Sequence, residues 1–218
     1  MNKKKAWNEI VKVRVINFVL DETGSMDSCK DATISGFNEY FNSLKADTAW
    51  RTLVTLTKFN SEKMETAYHL EDVRNVPPLG HDNYRPDANT PLYDAIAHTI
   101  RKTEADIASA NDQPAVFCVI LTDGQENASR EFSLRAIRAL IEQKKKDGWK
   151  IACLGADVDA WAIGGAIGLN RGDTLSFNKD CISHTFQELS AATKEYFDAG
   201  ADSKKDFFGD ARGKKGKK

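Results

Sequence analysis

Cysteine is scarce in this chain: there are four in 218 residues. Cys29, Cys118, Cys153 and Cys181 show neither CxxC nor CxxxC spacing, so they read as free, buried thiols rather than as disulfides or a zinc ribbon. Five prolines and 14 glycines in no period exclude collagen-like and low-complexity chains. No apolar run approaches the roughly 20 residues that span a bilayer. The basic start Met1-Asn2-Lys3-Lys4-Lys5 leads into Ala6-Trp7-Asn8-Glu9-Ile10, not into an apolar stretch, so a cytoplasmic protein without membrane partners is expected. Neither charge sign dominates: 31 Lys+Arg against 32 Asp+Glu give a net charge of −1, which argues against a uniformly basic nucleic-acid clamp. The histidines are dispersed and form no HExxH pair. Gly164-Gly165-Ala166-Ile167-Gly168 does not spell GxGxxG and reads as close helix packing.

What is present is an alternation of strand-like and helix-like stretches, in a length that suits one α/β domain. Val13 to Leu20 is a β-rich run ending in Asp21, with both faces apolar enough to be buried. Ile34, Phe37, Tyr40, Phe41 and Leu44 follow at helical spacing. Residues 50–59 and 65–73 read as strands joined by the hairpin Asn60-Ser61-Glu62-Lys63. A polar loop over 76–90 precedes a helix predicted from Pro91 to about 110, with Thr90 as its N-cap. Ala115 to Leu121 is the most apolar run and ends in Thr122-Asp123-Gly124. A helix (131–146), a strand (150–155), a short helix (159–167), a small strand (174–177) and a last helix (181–198) complete the pattern. The boundaries expected are a basic N-terminal segment (1–10), a domain (11–198) and a flexible basic tail (199–218) ending in Lys214, Lys215, Lys217 and Lys218. Such alternation implies right-handed crossovers and a doubly wound, mainly parallel sheet with helices on both faces. Ligands of such sheets bind beyond the carboxyl ends of the strands.

Two of those strand ends carry carboxylates, in Asp21-Glu22-Thr23-Gly24-Ser25-Met26 and in Thr122-Asp123-Gly124. If these two apolar strands are central neighbours, Asp21 and Asp123 face one crevice and repel unless protonated or bridged by a cation. Thr23 and Ser25 add neutral hydroxyls. An all-oxygen donor set favours Mg²⁺, Mn²⁺ or Ca²⁺ over zinc.

Asp21-x-Thr23-x-Ser25 resembles the DxSxS motif of the von Willebrand factor A family's metal ion-dependent adhesion site, with Thr in place of the first Ser. The Asp-x-Thr-Gly-Ser form is similar to that of intracellular members. Thr90-Pro91-Leu92 resembles the family's loop threonine, and Thr122-Asp123-Gly124 its final aspartate. The resemblance runs over about residues 11–198. It implies a Rossmann-like sheet of order 3-2-1-4-5-6 with strand 3 antiparallel at one edge. It also implies Mg²⁺ or Mn²⁺ held by Thr23, Ser25 and Thr90 through hydroxyls, with Asp21 and Asp123 bound directly or through water. The function implied is metal-dependent protein binding without catalysis: an acidic side chain of a partner completes the ion's shell. Intracellular relatives serve as adaptors in larger assemblies, some with a separate AAA+ ATPase. Glu22, Asp27 and Glu126 are expected on the rim, where they could sort partners.

Two alternatives belong to other classes. Asp21-Glu22-Thr23-Gly24-Ser25 also resembles the phosphorylation motif of haloacid dehalogenase-like phosphotransferases, in which Asp21 would be the nucleophile. Against it, Glu22 stands where that motif has Lys, and Thr23 where most relatives have a second Asp. The other alternative is nucleic-acid binding through the basic tail alone, which steep salt dependence would mark.

Overall fold

In the computed structural model, which describes residues 12–108, 114–156, 160–179, 182–202 and 204–209, the β-rich run becomes strand β1 (Val13–Asp21). Its side chains alternate between two cores. Ile16, Phe18 and Leu20 enter one; Val15 and Val19 enter the other. That is why the run is apolar on both faces: a strand covered by helices on both sides has no solvent-facing period to display.

Strand β2 (Arg51–Phe59) pairs parallel with β1, and strand β3 (Met64–Asp72) pairs antiparallel with β2. The hairpin between them is closed by the Asn60 side chain, whose Oδ1 accepts the amides of Glu62 and Lys63. Strands β4 (Ala115–Thr122), β5 (Lys150–Ala156) and β6 (Thr174–Phe177) extend the sheet in parallel on the other side of β1. The order is β3-β2-β1-β4-β5-β6, with the antiparallel strand at one edge. This is the doubly wound α/β architecture expected of the von Willebrand A fold.

Helix α1 (Lys30–Ala46) and helix α5 (Ile182–Asp198) cover one face. Their rings pack on the sheet: Phe18 meets Phe37 edge-on at 5.4 Å and lies parallel to Phe186 at 6.3 Å. The two helices approach closely at Gly36, where a Cβ would stand 2.1 Å from the Phe186 ring. Helices α2 (Leu92–Ile107), α3 (Leu134–Lys146) and α4 (Ala160–Ala166) cover the other face. Cys29, Cys118 and Cys153 are buried thiols outside any disulfide, and burial pushes the Cys118 and Cys153 thiols up to about 12. Cys181 lies outside the described residues.

The packed domain continues past residue 198, where the sequence reading placed the start of a flexible tail. Phe207 and Phe208 are buried, and the Phe207 ring stacks on Phe117 at 4.3 Å. The Phe208 amide donates to the Gly172 carbonyl at 2.8 Å. Burial of the two adjacent aromatic rings offsets part of the entropy that the connecting residues lose in ordering. The expected N-terminal segment (1–10) and the terminal lysines lie outside the described residues. No helix among the described residues is long and apolar enough to cross a membrane.

Candidate metal centre

Because β1 and β4 are hydrogen-bonded neighbours with Leu20 opposite Leu121, their last residues converge. Asp21 is fully buried. Its Oδ1 accepts the Thr23 amide at 2.8 Å and its Oδ2 accepts the Thr122 hydroxyl at 2.6 Å. Burial pushes its carboxyl up to about 6, with those donors pulling the other way and Asp123 adding to the rise.

From Asp21 the chain turns through a 3₁₀ segment (Gly24–Cys29) that carries Ser25 back over the strand ends. Ser25 Oγ donates to Asp123 Oδ1 at 2.6 Å, and Thr23 Oγ1 lies 3.3 Å from Ser25 Oγ. Ser25 spends its single proton on Asp123, so Thr23 is the donor in that pair. Both hydroxyls therefore keep lone pairs for an electrophile.

Thr90 arrives from the long loop before α2. That loop is anchored under the site: the Tyr84 hydroxyl donates to the Asp21 carbonyl at 2.7 Å, and the Asp87 amide to the Glu22 carbonyl at 3.0 Å. The Thr90 amide donates to Asn127 Oδ1 at 2.9 Å, which ties this loop to the one after β4. Its hydroxyl makes no hydrogen bond among the described residues. A Cβ built on Gly124 would stand 3.1 Å from Thr90 Oγ1 and 3.9 Å from Ser25 Oγ. Thr90 and Ser25 thus flank a small space that exists because residue 124 has no side chain.

All five residues singled out from the sequence are brought together: Asp21, Thr23, Ser25 and Asp123 by a continuous hydrogen-bonded chain, Thr90 across Gly124. Among the described residues, no group of three or more His, Cys, Asp or Glu is gathered to hold a metal. The donors here are two carboxylates and neutral hydroxyls. That set fits a hard divalent cation, with the lone pairs left available and the carboxylates lacking enough base to neutralise them.

The rim differs from expectation. Glu22 is buried, its Oε1 accepting the Arg85 amide at 2.6 Å, with Lys58 Nζ 3.8 Å away. Glu126 also turns inward. Its Oε1 accepts the amides of Ala128 and Ser129, and its Oε2 accepts the Tyr93 amide and the Ser129 hydroxyl. Both carboxylates answer backbone donors that would otherwise be orphaned. Asp27 alone of the three is exposed.

Thr90 is not the N-cap of α2. The helix opens at Leu92 with Pro91 at the cap position, where no side chain of its own caps it. Its first amides are satisfied from the other loop: Tyr93 by Glu126 and Ser129, Asp94 by Ser129 at 3.2 Å. In return, Asp94 accepts the amides of Arg130, Glu131 and Phe132.

Sequence reasoning passed over Lys179. Its Nζ lies 2.6 Å from Asp123 Oδ2, an ion pair off the line of a hydrogen bond, and donates to the Ser25 carbonyl and Ser28 Oγ at 2.8 Å each. Nothing in Asn178-Lys179-Asp180 marks a ligand or a partner.

Compared by sequence, the chain matches no protein-family model and no curated protein. Compared by structure, it shares the von Willebrand A fold with several solved proteins. The vWF domain of the type V pili tip protein Mfa5 from Porphyromonas gingivalis aligns with a TM-score of 0.61 at 9% identity, over 84% of this chain and 95% of that one. Proximal thread matrix protein 1 (PTMP1) of the mussel byssus, in a structure whose metal ion-dependent adhesion site holds zinc, aligns at 0.58 and 14% identity, over 84% of this chain. The pilus adhesin SpaC from Lactobacillus rhamnosus GG aligns at 0.57 and 14% identity, also over 84% of this chain. The chain spans 46% of PTMP1 and 30% of SpaC.

Proposed function

We propose that this domain binds a divalent cation, Mg²⁺ or Mn²⁺, through Asp21, Thr23, Ser25, Thr90 and Asp123, and uses it to capture an acidic side chain of a protein partner. The observation that carries the reading is the donor set itself. Asp21, Thr23, Ser25 and Asp123 are linked by hydrogen bonds, Ser25 and Thr90 face each other across the Gly124 gap, and the Thr90 hydroxyl has no other task among the described residues. A divalent ion held there would supply a partly neutralised positive charge at the strand ends, where a carboxylate is the matching ligand. The zinc-holding adhesion site of PTMP1, on the same fold, supports the choice of place.

We take the role to be non-catalytic. Asp21 is fully buried with both oxygens occupied by donors, which suits a residue that fixes the loop better than a nucleophile that must reach a substrate. A cytoplasmic adaptor within a larger assembly, with any AAA+ ATPase supplied by another chain, completes the proposal; the buried thiols outside any disulfide agree with a reducing compartment.

The test is a melting series of the full chain in chelator, Mg²⁺ and Mn²⁺. It is paired with capture of native-host partners on the immobilised chain in the same conditions. The expected result is a melting point that rises with either ion and a partner retained only in its presence. Unchanged melting together with chelator-insensitive capture overturns the reading.

A further inference from the structure

The chain brings its own cation to this site. Lys179 follows β6, which ends at Phe177, and precedes α5, whose Ile182 and Phe186 belong to the core that α1 shares with β1. Its Nζ reaches Asp123 Oδ2, Ser25 O and Ser28 Oγ. The Asp123 carboxylate is thereby divided, one oxygen taking the Ser25 hydroxyl and the other facing the ammonium. The Asp123 side chain is 0% exposed, whereas that of Lys179 is 18% exposed, so the lysine has a route to solvent. A flexible four-carbon stem with a compact charge can leave such a place without disturbing the backbone.

We propose that Lys179 is a tethered counter-ion of the site: it neutralises Asp123 when no metal is bound, and it competes with a divalent cation for that carboxylate. Lys179 thereby sets the metal concentration at which the site fills. The inference rests on the metal-binding reading above. Its physical basis is that two positive charges a few ångströms apart in a poorly solvated crevice repel, and that one carboxylate cannot fully serve both. An ion entering beside Ser25 and Asp123 must push the ammonium outward, at a cost to affinity.

Calorimetric titration of Mn²⁺ into the full chain and into its Lys179→Met, Lys179→Arg and Asp123→Ala variants tests this, with each protein also melted in chelator. Lys179→Met keeps the stem and removes the charge. It is expected to bind Mn²⁺ about tenfold or more tighter than the parent, and to melt lower than the parent in chelator but not in saturating Mn²⁺. Lys179→Arg, with the charge kept, should stay at or below the parent's affinity, and Asp123→Ala should not bind. If Lys179→Met binds equally or more weakly while Asp123→Ala is silent, the competition is refuted and the metal site stands. If the folded parent and Lys179→Met both fail to bind Mn²⁺, the metal reading falls and the inference with it.

Discussion

The two ends of the sheet treat buried charge differently. At the amino-terminal ends of the strands, charges are matched where they stand. Lys150, at the start of β5, lies 2.5 Å from Asp173 Oδ1, with side chains 3% and 2% exposed. The Lys205 carbonyl and the Phe207 amide complete that pair. Arg14, at the start of β1, meets Asp47 at 2.9 Å and donates from Nε to Thr52. At the carboxyl ends of β1 and β4, Asp21 accepts the Thr122 hydroxyl, Asp123 accepts the Ser25 hydroxyl, and the Lys179 ammonium faces Asp123. A buried ion pair that closes on itself asks nothing of its surroundings. A crevice with two acids, neutral hydroxyls and one displaceable base leaves room for a cation from solution.

If that contrast is right, mutations at the two ends should have opposite signatures. The largest stability loss is expected from Lys150→Met, which strands Asp173 in the interior. Breaking one partner of a buried pair costs about 3–5 kcal/mol, read as a lower urea midpoint, while the Mg²⁺-induced gain in melting temperature persists. A loss below about 1 kcal/mol, or a vanished Mg²⁺ response, would break the comparison.

Asp123→Ala should show the reverse. Lys179 can turn to water, so the metal-free fold should survive. The ligand-linked stabilisation, about 2.7 kcal/mol at a hundredfold excess of free ion over Kd, should disappear. Metal-dependent melting that survives this substitution would remove Asp123 from the site.

How much of this was legible in the sequence follows from how local each feature is. Asp21, Thr23, Ser25 and Asp123 hang directly on the ends of two apolar strands, so a motif and a strand assignment were enough to place them. The antiparallel edge strand and the order of the sheet came from family resemblance, because alternation of elements alone does not order strands. Glu22 and Glu126 were misplaced because the donors they accept from are backbone amides far away in sequence, those of Arg85 and Tyr93, which no spacing reveals. Lys179 was invisible for the same reason on a larger scale. It reaches Asp123 from the segment between β6 and α5. Phe207-Phe208 was the exception, a pair of adjacent aromatics in a polar stretch that could have been read as an anchor.

The site also separates two jobs that the sequence assigned to one residue. Ser129 and Glu126, not Thr90, cap α2. Ser129→Ala should therefore cost about 1 kcal/mol of stability, measured by chemical unfolding, with Mn²⁺ affinity near the parent's. Thr90→Val should do the opposite: a stability change within about 0.5 kcal/mol and a clear fall in Mn²⁺ affinity. If Thr90→Val costs stability while Mn²⁺ binding is unchanged, the threonine is structural after all.

The smallest change in the fold, and the finest probe of where the ion sits, is Gly124→Ala. Gly124 is not among the positive-φ glycines, which are Gly148, Gly168 and Gly200, so an alanine can adopt its backbone. The new methyl would meet Thr90 Oγ1 at 3.1 Å and Thr90 Cγ2 at 3.8 Å, a contact that a shift of a few tenths of an ångström relieves. Replacing glycine at a compatible position stiffens the unfolded chain by about 0.4–1 kcal/mol, which offsets that shift, so the metal-free melting point should scarcely move. The methyl nevertheless occupies the space that Thr90 and Ser25 flank. An ion shared by those hydroxyls must be excluded or forced off its ligands, and Mn²⁺ affinity should drop with no loss of fold. Affinity equal to the parent's would mean that the cation, wherever it binds, does not lie between Thr90 and Ser25, and the donor set would shrink to the Asp21, Thr23, Ser25 and Asp123 side of the crevice.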